Sequence, residues 1–260
     1  MTPVGRTTGA GPRWRAVVVS PHFDDAVLSV GGLLGRLDRP TAVFTVHGGP
    51  PAAGLPVSEW DADCGFVSPD EAYRSRLAED ARACALLGAQ QVALPQADGP
   101  YRNGERLSAL EDFLAALHPE TEVFVPLGTN QPDHAVVRDT ALETLDPDRS
   151  PRPRIYADLP YTAVVAGWGG RSVSSALADS SECGLAFRIV RDRHGLDLLH
   201  DITLDEQEWC RKRDAIFCYS SQLSPVATML ETRDAGALLR HPGPLGSEFV
   251  WQLGEPGVCR

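Results

Sequence analysis

Three observations predict an α/β fold built on a mostly parallel sheet. Short apolar or β-branched runs recur over the first 160 residues, at 15–20 (RAVVVS), 41–46 (TAVFTV), 91–94 (QVAL), 121–127 (TEVFVPL) and 153–157 (PRIYA). Stretches of helical spacing separate them, the alternation expected of βαβ units with helices on both faces. The runs are continuous rather than alternating, as strands buried on both faces are. At 260 residues the chain suits one large domain, and no internal repeat or low-complexity tract divides it. The expectation is a single-domain, Rossmann-like three-layer fold over residues 14–260, with residues 1–13 a disordered leader.

The elements follow in order. After the first run, a helical stretch passes through Leu33, Leu34 and Leu37. Residues 47–69 read as one long Gly- and Pro-rich loop holding Trp60, Asp61, Asp63 and Phe66. Loops of more than ~12–15 residues are often lids or binding loops, so a substrate-shaping role is expected there. Ser68-Pro69-Asp70-Glu71 opens the next helix with a capping serine, a first-turn proline and a glutamate three residues on. Gly88 stands where that helix stops. Helices are expected at 106–117 and 132–145. Beyond residue 165 the pattern is less regular, with one helix near 205–217 among loops and edge strands.

Composition excludes several functions. Acidic residues outnumber basic ones by 35 to 24, a net charge of −11, which argues against nucleic acid or anionic membrane as partner. Lys212 is the sole lysine and follows Arg211, so there is no phosphate-binding Gly-Lys-Ser/Thr loop. Schiff-base chemistry would depend on that one amine. The six cysteines form no Cys-x-x-Cys pair, which argues against a zinc ribbon or a dithiol redox site. No signal-peptide core or run of ~18 apolar residues is present, so a cytoplasmic protein without a membrane span is expected.

Sites in open parallel sheets form beyond the carboxyl ends of the strands. After the first strand come Pro21-His22-Phe23-Asp24-Asp25, and after the fourth Gly128-Thr129-Asn130-Gln131-Pro132-Asp133-His134. Two imidazoles and three carboxylates thus lie where they can face each other, the inventory of a catalytic zinc site with an open position. His22 and Asp25, three apart at a turn into a helix, can point at one ion, leaving Asp24 as a general base. Either aspartate taken alone reads equally as a helix cap and dipole partner. Gly31-Gly32 inside a helix costs about 1 kcal/mol per glycine, which points to close packing there. His47, at the end of the second strand, reads first as a structural residue, with lining the site as the alternative.

Pro21-His22-Phe23-Asp24-Asp25 with Gly31-Gly32 resembles the Pro-His-Pro-Asp-Asp…Gly-Gly signature of the PIG-L / LmbE-like zinc deacetylases. Gln131-Pro132-Asp133-His134 resembles their His-x-Asp-His motif. Weaker likenesses are Arg76 with Glu79, Asp98 after the third strand, and Tyr219-Ser220-Ser221-Gln222. The resemblance implies one zinc ion (Zn2+) per chain on His22, Asp25 and His134, with Asp24 as general base and Asp133 orienting an imidazole. Arg76, Asp98 and Trp60 are the expected substrate contacts. The implied reaction removes an N-acyl group, most simply acetyl, from an amino sugar or small-molecule conjugate through metal-activated water. An amidase acting on a thiol conjugate or biosynthetic intermediate, or a member without turnover, are the alternatives. Two departures motivate the last. Gln131 replaces the first histidine of the motif and can donate a hydrogen bond but not deliver a proton, and Thr129 stands where some members carry an oxyanion-side tyrosine. Asp24 then serves as both base and acid, or the enzyme is slow.

Overall fold

The computed structural model describes residues 13–102, 104, 106–145, 151–223, 226 and 239–254. The expected leader therefore lies, Arg13 aside, outside the described residues. Strands β1 (Ala16–Ser20), β2 (Thr41–Thr45), β3 (Gln90–Ala93), β4 (Glu122–Pro126) and β5 (Arg154–Tyr156) all pair in parallel. Two later strands, β6 (Leu196–Thr203) and β7 (Ser247–Leu253), add antiparallel at one edge, giving the order β3-β2-β1-β4-β5-β7-β6. The helices are α1 (Asp25–Arg36), α2 (Glu59–Asp63), α3 (Pro69–Leu86), α4 (Ser108–Ala115), α5 (Pro132–Thr144), α6 (Val173–Asp179), α7 (Gly184–His194) and α8 (Glu206–Ile216).

Successive strand residues face opposite layers, and the core divides accordingly. Val18 packs with Val27, Leu34 and Ala83 of α1 and α3 and with Trp209 of α8. Val17 and Val19 pack with Leu110, Val137 and Phe187 of α4, α5 and α7. The chain moves outward from β1 to β2 and β3, then returns to place β4 on the other side of β1. The crevice between the β1 and β4 ends is thus the topological switch point, where ligands bind in open α/β sheets.

Two sequence expectations need correction. Residues 47–69 are not wholly loop, because α2 forms at Glu59–Asp63 with the Ser58 hydroxyl accepting from the Asp61 N–H at 3.1 Å. A five-residue helix is too short for apolar spacing to reveal. The region beyond 165 is also more regular than expected, with α6 and α7 packing on the sheet. A serine-rich start and a glycine at the first position of α7 hide these helices from propensity. Elsewhere the expectations hold: Ser68 caps α3, accepting from the Glu71 N–H at 3.2 Å, and Gly88 has φ +72°.

The paired glycines have a packing cause. Helix α1 leaves helical geometry at Val30 (φ −134°, ψ 27°), and the N–H groups of Gly32 and Leu33 donate to the Glu248 carboxylate at 2.7 and 2.8 Å. Glu248 in turn accepts from Lys212 Nζ at 2.7 Å, with both side chains fully buried. The only lysine is therefore a buried structural cation. A Cβ on Gly32 would lie 2.2 Å from Leu204 Cδ2 and 3.0 Å from Glu248 Oε1. Gly32→Ala is expected to destabilise the protein by about 1–3 kcal/mol despite alanine's helix propensity. Urea denaturation checks this; an unchanged midpoint would contradict the packing account.

Candidate metal centre

His22 lies just beyond β1, and His134 in the first turn of α5, beyond β4. Asp25 opens α1 between them. Its Oδ2 is 3.2 Å from His22 Nδ1 and 3.1 Å from His134 Nε2. These three side chains present ligand-type atoms all within 4.8 Å of one another. The separations match the edge of a tetrahedral zinc shell, about 3.3 Å for metal–ligand distances of ~2.0–2.1 Å. His134 Nε2 is buried and, despite its closeness to Asp25, has no hydrogen-bond partner. On losing its proton a nitrogen so placed offers its lone pair to a cation, and the donor set of two nitrogens and one oxygen suits zinc.

The remaining nitrogen of His134 is fixed from behind: Nδ1 is 2.9 Å from Asp158 Oδ1. Such carboxylate–histidine pairs set the tautomer of metal-binding imidazoles. Asp158 also accepts from the Thr129 N–H at 3.0 Å. Burial lowers the His134 pKa, but the Asp25 and Asp158 charges outweigh it and push it up to about 9. Burial likewise disfavours the Asp25 charge, yet the His134 and His22 imidazoles hold its carboxyl well below the usual range. Both groups are thus shaped by mutual charge in a buried space.

Asp24 separates the two readings of the Asp-Asp pair. It occupies the N-cap of α1, but its side chain makes no capping hydrogen bond. Ser20 Oγ instead accepts from the Ala26 N–H at 3.0 Å. The Asp24 carboxylate lines the pocket above the cluster. Burial and the adjacent Asp25 charge push its pKa up to about 7.

That pocket has a volume of about 290 Å³. It gathers the other residues singled out in the sequence: Trp60 from α2, Arg76 from α3, Asp98 after β3, and Gln131 and Asp133 at the start of α5. Arg76 is nine-tenths buried and bound to Asp61 at 2.5 Å, with Asp98 3.8 Å away. Asp133 is bound by Arg102 and lies 3.6 Å from His22 Nε2, so it faces His22 while Asp158 serves His134. Gln131 Nε2 is 3.4 Å from the Tyr161 hydroxyl. Thr129 is fully buried, and Tyr161 brings a phenol to the pocket from the segment after β5.

From the sequence, Asp158 and Tyr161 follow the fifth strand and are expected to wall the pocket, and Asp61 belongs to the substrate-shaping loop; what sequence reasoning missed is the pairing of Asp158 with His134 and of Asp61 with Arg76. Asp158 stands two residues beyond β5, where the strand-end rule points, but its partner depends on β4 and β5 lying side by side. The weaker motifs also meet: Glu79 accepts from Ser221 Oγ at 2.6 Å and Ser220 Oγ at 3.1 Å, and Asp80 from the Tyr219 hydroxyl at 2.6 Å. These bonds fix the 219–222 segment so that Gln222 reaches the pocket.

The family model described as PIG-L: GlcNAc-PI de-N-acetylase matches residues 17–145, which span both strand-end clusters. The chain belongs to the PIG-L family. No curated protein matches it. Among solved structures it is similar to the A40926 pseudoaglycone deacetylase, at 28% identity and TM-score 0.66, with 95% of this chain and 99% of that one covered. A deacetylase triple mutant from the teicoplanin biosynthetic pathway has the same fold, at 22% identity and TM-score 0.69 over 94% and 99% of the two chains. So does the 4-carboxy-2-hydroxymuconate hydratase from Pseudomonas putida, at 17% identity and TM-score 0.55 over 94% and 98%. The fold thus hosts more than one chemistry, and function must be argued from the site. Among the described residues no helix is long and apolar enough to cross a membrane.

Proposed function

We propose that this PIG-L family protein is a zinc-dependent N-deacetylase acting on an N-acetylated amino sugar carried on a larger aglycone. The observation that carries the reading is the pairing of a buried His22–Asp25–His134 cluster with an uncapped Asp24 carboxylate on the pocket wall. His22, Asp25 and His134 would hold the ion. When bound, the ion supplies Lewis acidity that polarises the amide carbonyl and makes water acidic enough to deprotonate near neutral pH.

The chain's own residues do the rest. Asp24 takes the proton from the attacking water and returns it to the amide nitrogen as the C–N bond breaks, so that the amine leaves neutral. Gln131 cannot deliver a proton, so this return falls to Asp24. The Gln131 amide and Tyr161 hydroxyl stand on the pocket wall as hydrogen-bond donors for the oxygen that gains charge. Arg76, held by Asp61, and Asp98 face the space a sugar ring would fill. Trp60, Tyr73 and Tyr101 give that space aromatic walls, which suit the face of a sugar or an aromatic aglycone. Similarity to the pseudoaglycone deacetylase and to the GlcNAc-PI de-N-acetylase family model supports an amino-sugar amide over a thiol conjugate.

The test is release of free amine and acetate in equal amounts from N-acetylglucosamine and from the N-acetylated A40926 pseudoaglycone. Faster turnover of the larger substrate is expected. Absence of product from either, with zinc-loaded protein, would contradict the reading.

A further inference from the structure

His47 lies just beyond β2 and is only 2% exposed. Its ring stacks on His22 with centroids 5.3 Å apart. Nδ1 is 3.2 Å from the Ala97 carbonyl oxygen. A carbonyl only accepts, so Nδ1 carries the proton and Nε2 keeps a free lone pair. That Nε2 is buried and has no hydrogen-bond partner. His47, His22 and Asp133 bring ligand-type atoms within 4.8 Å of one another. On the His22 side the atom is Nε2, 3.6 Å from Asp133 Oδ2 and 3.3 Å from Asp98 Oδ1. His22 thus turns one ring nitrogen towards Asp25 and the other towards Asp133.

We propose that His47, Asp133 and the Nε2 edge of His22 form a second divalent-cation site on the pocket wall, filled at higher zinc concentration than the His22–Asp25–His134 centre. Two imidazole nitrogens and a carboxylate oxygen again suit zinc. Arg102 binds the other oxygen of Asp133, leaving Oδ2 for the ion. The second ion binds more weakly, because it would share the His22 ring with the first and be repelled by its charge. The pocket that would take substrate is lined by these same residues, so filling the second site obstructs it. Activity then rises with the first equivalent of zinc and falls in excess.

The proposal shares His22 with the centre proposed above, and the experiment separates the two. Equilibrium dialysis of the metal-stripped protein against zinc, read by elemental analysis, is run on the wild type, His47→Phe and His134→Ala. Phenylalanine keeps the ring stack and removes the ligand; His47→Gln replaces it if that variant is not folded by circular dichroism. The expected result is two zinc ions per wild-type chain, with only the weaker lost in His47→Phe. One ion, insensitive to His47→Phe and lost in His134→Ala, would overturn the second site and leave the first intact. One ion lost in His47→Phe and retained in His134→Ala would overturn the first centre and the two-ion scheme together.

Discussion

Asp24→Asn is expected to lower kcat by about 10³-fold, within the ~10²–10⁴ that general acid–base groups contribute, while zinc content stays unchanged. The substitution preserves shape and removes only the ability to take and return a proton. The Asp24 side chain makes no cap bond to α1, so thermal stability should move little. Gln131, standing where the motif has its first imidazole, cannot deliver a proton and so cannot share the loss. Amine-release kinetics with parallel elemental analysis checks this. Activity that survives the change would remove Asp24 from the reaction.

His134→Ala is expected to abolish the tighter zinc binding, at the His22–Asp25–His134 centre, and turnover with it. His134 is fully buried, with Asp25 at Nε2 and Asp158 at Nδ1. Its removal deletes one of three ligands and leaves the buried carboxylates of Asp25 and Asp158 without the imidazole that separates them. Removing one member of a buried charged group typically costs about 3–5 kcal/mol, so a lower melting temperature should accompany the loss. Asp158→Asn separates these effects. It keeps all three ligands yet disturbs the tautomer of His134, and about 10–100-fold weaker zinc binding is expected. Unchanged zinc affinity in both variants would place the ion elsewhere.

Much of this arrangement is legible in the sequence because parallel strands announce themselves. Residues 15–20 and 121–127 read as buried strands, and the rule that sites form at their carboxyl ends leads directly to His22, Asp24, Asp25 and His134. Gly31-Gly32 reads as close packing, which the approach of Leu204 and Glu248 explains. Other features depend on contacts distant in sequence. Nothing near Glu248 shows that it will accept from N–H groups of α1, 215 residues away. Arg76 reads as a substrate contact, but its capture by Asp61 requires α2, a helix too short to carry a periodic signal. Strand β6 is mostly exposed at the sheet edge, so it lacks the apolar run that marks β1 to β5. The Asp158–His134 pair joins two strand ends, and strand order cannot be read from either segment alone.

The account turns on the claim that His22, Asp25 and His134 hold the ion the reaction uses. Anomalous diffraction at the zinc edge, from crystals of metal-stripped protein given one equivalent of zinc, tests it most directly. The account predicts a single peak within bonding distance of His22 Nδ1, Asp25 Oδ2 and His134 Nε2. A peak lying only between His47 and Asp133, or no peak in protein that releases acetate, would contradict it.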